Sequence, residues 1–276
     1  MISQSIHSHG KQYFNHMTYS YSAGVDRAKL ANAWRIVAGK YEILRSGFSH
    51  IDDAKIPFAM VTYPDDQVDL SIETQDSDAA LSTSQKTNFG QCAVENLQRP
   101  PWRVILQPTQ MHFSAHHALY DAQVLDLIIR DLATTLGDVS LHEAPSLESQ
   151  LARSLVAVDD NSPAAKFWTT VGERSFVTRF PTLTPLKVVD HDLAETRFTC
   201  SVRRSKLEDG CRELGITMQA AGQAAWGRLL SAYTGEHEVT FGTVLSGRAT
   251  DDADEVGFPC ITTVPTPINA KKSKAD

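Results

Sequence analysis

Between Gln110 and Leu136 an extended apolar segment, a short loop with two histidines and a strongly amphipathic stretch follow one another without a break. Gln110 to His116 reads as a strand. From Asp121 to Leu136 the residues Val124, Leu125, Ile128, Ile129, Leu132 and Leu136 recur at helical spacing, the clearest such stripe in the chain. The order strand, loop, helix puts Ala115-His116-His117-Ala118-Leu119-Tyr120-Asp121-Ala122 at a strand end. There a paired histidine can present one imidazole to a cleft, and an aspartate four residues on can leave the cleft and anchor the loop from behind.

The flanking pattern extends the mixed architecture. Leu30, Ala33, Trp34, Val37 and Tyr41 share a helical face, with Asp26 placed to cap its first turn. Ile43 to Ile51, Pro57 to Tyr63 and Trp102 to Gln107 read as strands, bounded by turn residues. Helices are expected at Leu147 to Val156 and Pro163 to Val171. Thr178 to Glu195 holds three prolines and no sustained period, which marks it as a linker. Beyond it come a strand at Thr196 to Val202, helices at Lys206 to Leu214 and Thr217 to Tyr233, and strands at Glu238 to Leu245 and Ile261 to Ile268. Helices and strands interleave in both halves, so the fold class is α/β (α+β) in two related lobes, residues 1–177 and 196–276, joined by 178–195.

Composition excludes several functions. A net charge of −7, with basic residues clustered only in the short tail Lys271-Lys272-Ser273-Lys274, leaves no surface for nucleic acid. No apolar segment approaches the length of a membrane span. Cys92, Cys200, Cys211 and Cys260 form neither a CxxC pair nor a dense disulfide pattern, and the amino terminus continues polar, which fits idle thiols in a reducing cytoplasm. His237 with its flanking glutamates, and the Asp251-Asp252-Ala253-Asp254 run, lack the spacing of a metal site and read as solvated turns. Trp34, Trp168 and Trp226 sit among apolar neighbours at helical spacing and are expected in the core.

Four blocks in order resemble the condensation domains of nonribosomal peptide synthetases. His116-His117-Ala118-Leu119-Tyr120-Asp121-Ala122 is similar to their HHxxxDG hallmark. Lys40 to Phe48 resembles RHExLRTxF, Thr240 to Arg248 resembles FGxxVSGR, and Val256 to Pro265 resembles VGxxxNTxP in a form typical of fungal synthetases. The resemblance covers roughly Tyr13 to Ile268. It implies two chloramphenicol-acetyltransferase-like lobes in a V around a central tunnel, with the second lobe present here only in part, as a piece of a longer chain or as a degenerate domain. The hallmark glycine is Ala122 in this chain.

The resemblance also implies an activity. Upstream and downstream carrier domains, beside an adenylation domain, bring acyl groups on 4'-phosphopantetheine arms, and the acceptor amine attacks the donor thioester to form an amide; no cofactor is bound directly. His117 would be the catalytic imidazole. An imidazole of ordinary pKa, about 6.5, can accept a proton near neutral pH, and a positioned general base contributes about 10²–10⁴-fold. An α-amine, with a pKa of about 7.7–8.0, is already partly neutral, so a second role stays open: His117 stabilises the charge of the tetrahedral adduct while positioning supplies most of the rate. His116 would face the opposite way along the strand and shape the loop. Asp121 would pair with Arg248 from the second lobe, Arg45 would support the same loop, and Ala122, Ser246 and Gly247 would line the tunnel. Two other readings share the architecture: an acyltransferase of the same superfamily using soluble coenzyme A thioesters, and a non-catalytic scaffold that docks carriers. A siderophore is the product class suggested by the fungal form of the blocks.

Overall fold

The computed structural model describes residues 1–54, 56–156, 162–174, 178–179, 198–248 and 253–271. Two compact units emerge: Met1–Val156 with Ser246–Ile261, and Ala157–Leu245 with Thr262–Asp276. Apart from 178–179, the linker expected over 178–195 lies outside the described residues.

The first unit runs α1 (Ile2–His7), β1 (Phe14–Ser20), α2 (Arg27–Lys40), β2 (Ser46–His50), β3 (Phe58–Thr62), β4 (Ile72–Thr74), α3 (Thr83–Glu95), β5 (Trp102–Leu106), β6 (Gln110–His116), α4 (Ala122–Leu136) and α5 (Leu147–Val156). Four strands form one sheet in the order β1-β6-β5-β4, antiparallel except for the parallel β5–β4 pair, and β2 and β3 form a separate antiparallel hairpin. Helix α2 forms where expected, with the Asp26 carboxylate accepting from the Ala28 and Lys29 backbone N–H groups. The strand expected from Ile43 begins only at Ser46, because Glu42–Arg45 winds into a 3₁₀ turn whose Leu44 carbonyl accepts from the Trp102 indole at 2.7 Å.

Alternation along β6 gives its two faces different work. Met111, Phe113 and Ala115 join the core with Trp102, Val104 and Leu106 of β5 and with the buried stripes of α2 and α4. Trp34 stacks on Trp102 at 5.6 Å and meets Phe113 at 5.0 Å. The other face of β6 carries buried polar groups, each with a partner: His112 with Thr18, Ser114 with His16, and His116 with Ser5.

The second unit contains α6 (Pro163–Arg174), α7 (Arg204–Glu213), α8 (Met218–Thr234), β7 (Glu238–Leu245) and β8 (Thr262–Asn269), with β7 and β8 antiparallel along their whole length. Helix α8 lays Gly227 against Ile268 of β8. The strand expected at Thr196 to Val202 is a correction: residues 198–202 are not a strand, and 196–197 lie outside the described residues. Trp34 is buried as expected, but Trp168 is 40% and Trp226 47% exposed. Helical spacing among apolar neighbours identifies a face without saying what covers it.

Candidate active site

The histidine loop hangs between the end of β6 and the first turn of α4. His116 is the last residue of the strand and points away from the core, as alternation requires. Its Nδ1 accepts from the Ala118 N–H at 3.0 Å, so its Nε2 carries the proton and donates to Ser5 Oγ at 2.7 Å. Ser5 in turn donates to the Gln12 carbonyl at 3.0 Å. Burial above all lowers the His116 pKa to about 4, so this ring is neutral at physiological pH.

His117 has the opposite tautomer. Its backbone N–H donates to the Tyr13 carbonyl at 2.8 Å, and Tyr13 itself stands at φ +64° to make that contact. The side-chain Nδ1–H donates to the Tyr120 carbonyl at 3.0 Å; a carbonyl only accepts, so Nδ1 holds a proton, and in the neutral ring the lone pair is on Nε2. The ring is half-buried, and among the described residues nothing hydrogen-bonds Nε2. One nitrogen is occupied in fixing the ring and the other is free to take a proton.

Asp121 anchors the loop from behind. Its Oδ1 accepts from the Val124 N–H at 2.9 Å and so caps α4; its two oxygens accept from Arg248 Nη2 at 3.0 and 3.1 Å, and Oδ2 accepts from the Cys260 N–H at 2.9 Å. Both side chains are sealed from solvent, at 4% and 3% exposure. Arg248 also donates to the carbonyls of Ala253, Val256 and Phe258, the latter two at 3.1 and 2.8 Å. Arg248 is expected from the second lobe, but 246–261 packs as part of the first unit. Its guanidinium gathers the carbonyls of that segment and presents its own charge to the Asp121 carboxylate.

Gly247, expected to line a tunnel, has a backbone reason for being glycine: its φ is +65°, and a Cβ there would collide with the Cys260 carbonyl. Ser246 beside it is exposed, and so is Ala122, the first residue of α4. Arg45 does not reach the histidine loop. It donates to the Ala38 carbonyl at 3.1 Å, to Gly39 at 3.3 Å and to Tyr63, and pairs with Asp65 at 2.6 Å. Ala38 and Gly39 lie in the last turn of α2, where helix carbonyls lack internal partners and a cation is favoured.

Three residues of the site were not singled out by sequence reasoning. Tyr120 stacks its ring on His117 at 4.8 Å and 12°, and its hydroxyl accepts from the Asn15 amide at 2.5 Å. Burial pushes the Tyr120 phenol pKa up, so it stays neutral. Tyr120 lies within the quoted loop, but nothing in the sequence signals Asn15 or Ser5. Among the described residues no group of three or more His, Cys, Asp or Glu is placed to hold a metal ion, and no helix is long and apolar enough to cross a membrane.

Known proteins of similar sequence and fold give the family. The family model for the condensation domain matches residues 1–275. Nonribosomal peptide synthetase sidC of Arthroderma benhamiae is 37% identical over 287 residues, covering 100% of this chain and 6% of the relative. The hydroxamate-type ferrichrome siderophore peptide synthetase of Schizosaccharomyces pombe is 26% identical, again over 100% of this chain and 6% of its own length. This chain therefore spans a small part of the synthetases it matches. Among solved structures, the first condensation domain of the calcium-dependent antibiotic synthetase superposes with a TM-score of 0.68 at 16% identity, covering 98% of this chain and 68% of that one, a likeness of fold. A full-length family match, joined to a relative above 30% identity across the whole chain, leaves one assignment: the chain belongs to the condensation-domain family.

Proposed function

We propose that this domain joins a donor acyl or peptidyl thioester to the amine of an acceptor aminoacyl thioester, each borne on the phosphopantetheine arm of a partner carrier domain, within a larger synthetase that also contains an adenylation domain. The observation that carries the reading is His117, whose Nδ1–H is spent on the Tyr120 carbonyl while no group among the described residues hydrogen-bonds its Nε2. The acceptor nitrogen forms a bond to the donor carbonyl carbon, the carbon–sulfur bond breaks, and the amine proton passes through His117 Nε2 to the departing thiolate. Asp121 and Arg248 do not touch the reacting atoms in this account; they hold the loop that carries His117. Ser246, Gly247 and Ala122 lie along the approach of the tethered substrates. Relation to a siderophore synthetase supports a small siderophore peptide as the product of the whole assembly.

Incubation with donor and acceptor carriers loaded with defined acyl and aminoacyl groups tests the reading, with the product followed by mass spectrometry. An amide-linked product on the acceptor carrier supports it. Amide formation only from a coenzyme A thioester makes the protein a free-standing acyltransferase, and carrier binding without product makes it a docking scaffold.

A further inference from the structure

We infer that Tyr120 is the positioning residue of His117, held in register by Asn15; this rests on the proposed role of His117 and adds what fixes its ring. Tyr120 is buried and adjoins the hydrophobic core, and its contacts converge on one neighbour. Its carbonyl takes the Nδ1 proton of His117 at 3.0 Å, and its ring lies nearly parallel to the imidazole at 4.8 Å and 12°. Its hydroxyl is tied to Asn15, which stands on β1 opposite Ala115, two residues before His117.

These contacts restrict different motions. The carbonyl selects the tautomer, because an acceptor at Nδ1 requires the proton there. The ring covers one face of the imidazole and blocks the rotation that would exchange Nδ1 and Nε2. The Asn15 tether keeps the phenol from swinging and carrying the carbonyl with it, and it transmits the register of the β1–β6 pair to the loop. His117 Nε2 is thereby held in one direction by groups whose own positions are fixed by the sheet, the condition under which a catalytic group retains productive geometry.

The test compares wild type with Tyr120→Phe, Tyr120→Leu and Asn15→Ala, using ¹⁵N-histidine NMR on the domain and condensation kinetics with loaded carriers. Wild type should show His117 as the single tautomer with Nδ1 protonated and Nε2 bare. Tyr120→Leu should show mixed tautomers and a fall in kcat of about tenfold or more, with KM for the acceptor carrier unchanged. Tyr120→Phe keeps the stack and should retain one tautomer with a smaller loss, a partial rescue that separates positioning from gross packing. Asn15→Ala, which leaves the loop sequence untouched, should resemble Tyr120→Phe. A single wild-type tautomer in Tyr120→Leu, or an Nδ1-bare His117 in wild type, overturns the inference even if no turnover is detected. Turnover that survives His117→Ala overturns the role of His117 instead, and leaves the NMR result to stand or fall alone.

Discussion

Replacing Asp121 by Asn keeps the size of the side chain and its capacity to cap α4, but removes the charge that Arg248 faces and points an amide donor toward donors. Arg248 is then a buried cation without a counter-ion, a change that costs about 3–5 kcal/mol. Arg248→Met keeps much of the apolar stem and leaves the opposite orphan, Asp121, with only the Val124 and Cys260 N–H groups, while the carbonyls of Val256 and Phe258 each lose one of their donors. Each single variant carries the penalty of the charge it strands, and the double variant strands neither charge. The two costs should therefore fall short of additivity by about 2 kcal/mol, within the range measured for residues in direct contact. Urea unfolding read through Trp34 and Trp102, which stack inside the first unit, isolates that transition once Trp168 and Trp226 are replaced by Phe. Costs that add to within about 0.5 kcal/mol would show that the two side chains do not form the coupled pair seen here.

Acidification should weaken the first unit well before carboxylates titrate. With the His116 pKa at about 4 in the fold and about 6.5 unfolded, the unfolded chain binds more protons between those values, so stability is full above about pH 6.5 and is lost as pH falls toward 4, by up to about 3 kcal/mol. His16, lowered to about 4 chiefly by burial and also by Lys86 and Arg103, adds in the same direction, and thermal melts from pH 7.5 to 4.5 on wild type and His116→Asn measure the His116 share. Gly247→Ala should lower the melting temperature by several degrees, because a Cβ collides with the Cys260 carbonyl at a positive φ; an unchanged melt would refute that. Ala122→Gly should soften α4 slightly and raise condensation with bulky acceptors, read as a ratio of kcat/KM for large and small acceptor groups; an unchanged ratio removes Ala122 from substrate access.

Much of this was legible in the sequence where one face of an element meets a uniform apolar neighbour. Helices α2 and α4 announced themselves by periodicity because each lays a single stripe on the sheet. Strand β1 did not: its core face opens on polar Asn15 before Met17 and Tyr19, and its other face carries His16 and Thr18, which pair with Ser114 and His112, so the apolar alternation is too short to stand out. Helix α3 is similar, since it buries only Gly90, pressed against the backbone of Gly10, and carries no apolar stripe. Pairing of Asp121 with Arg248 was expected from the family blocks, but the carbonyls that Arg248 gathers are backbone groups, invisible to residue type. The stack of Tyr120 on His117 depends on ring planes, which a separation of three residues does not specify.

In the proposed reaction His117 Nε2 handles the amine proton while the rest of the loop aims it. Single-turnover condensation between loaded donor and acceptor carriers, run on wild type and His117→Ala with melting temperatures measured in parallel, tests it most directly. Amide formation should fall by about 10²–10⁴-fold while the melt moves by no more than a few degrees, since the ring is half-exposed and its Nε2 supports no other of the described residues. A folded His117→Ala domain that forms product at the wild-type rate would contradict it.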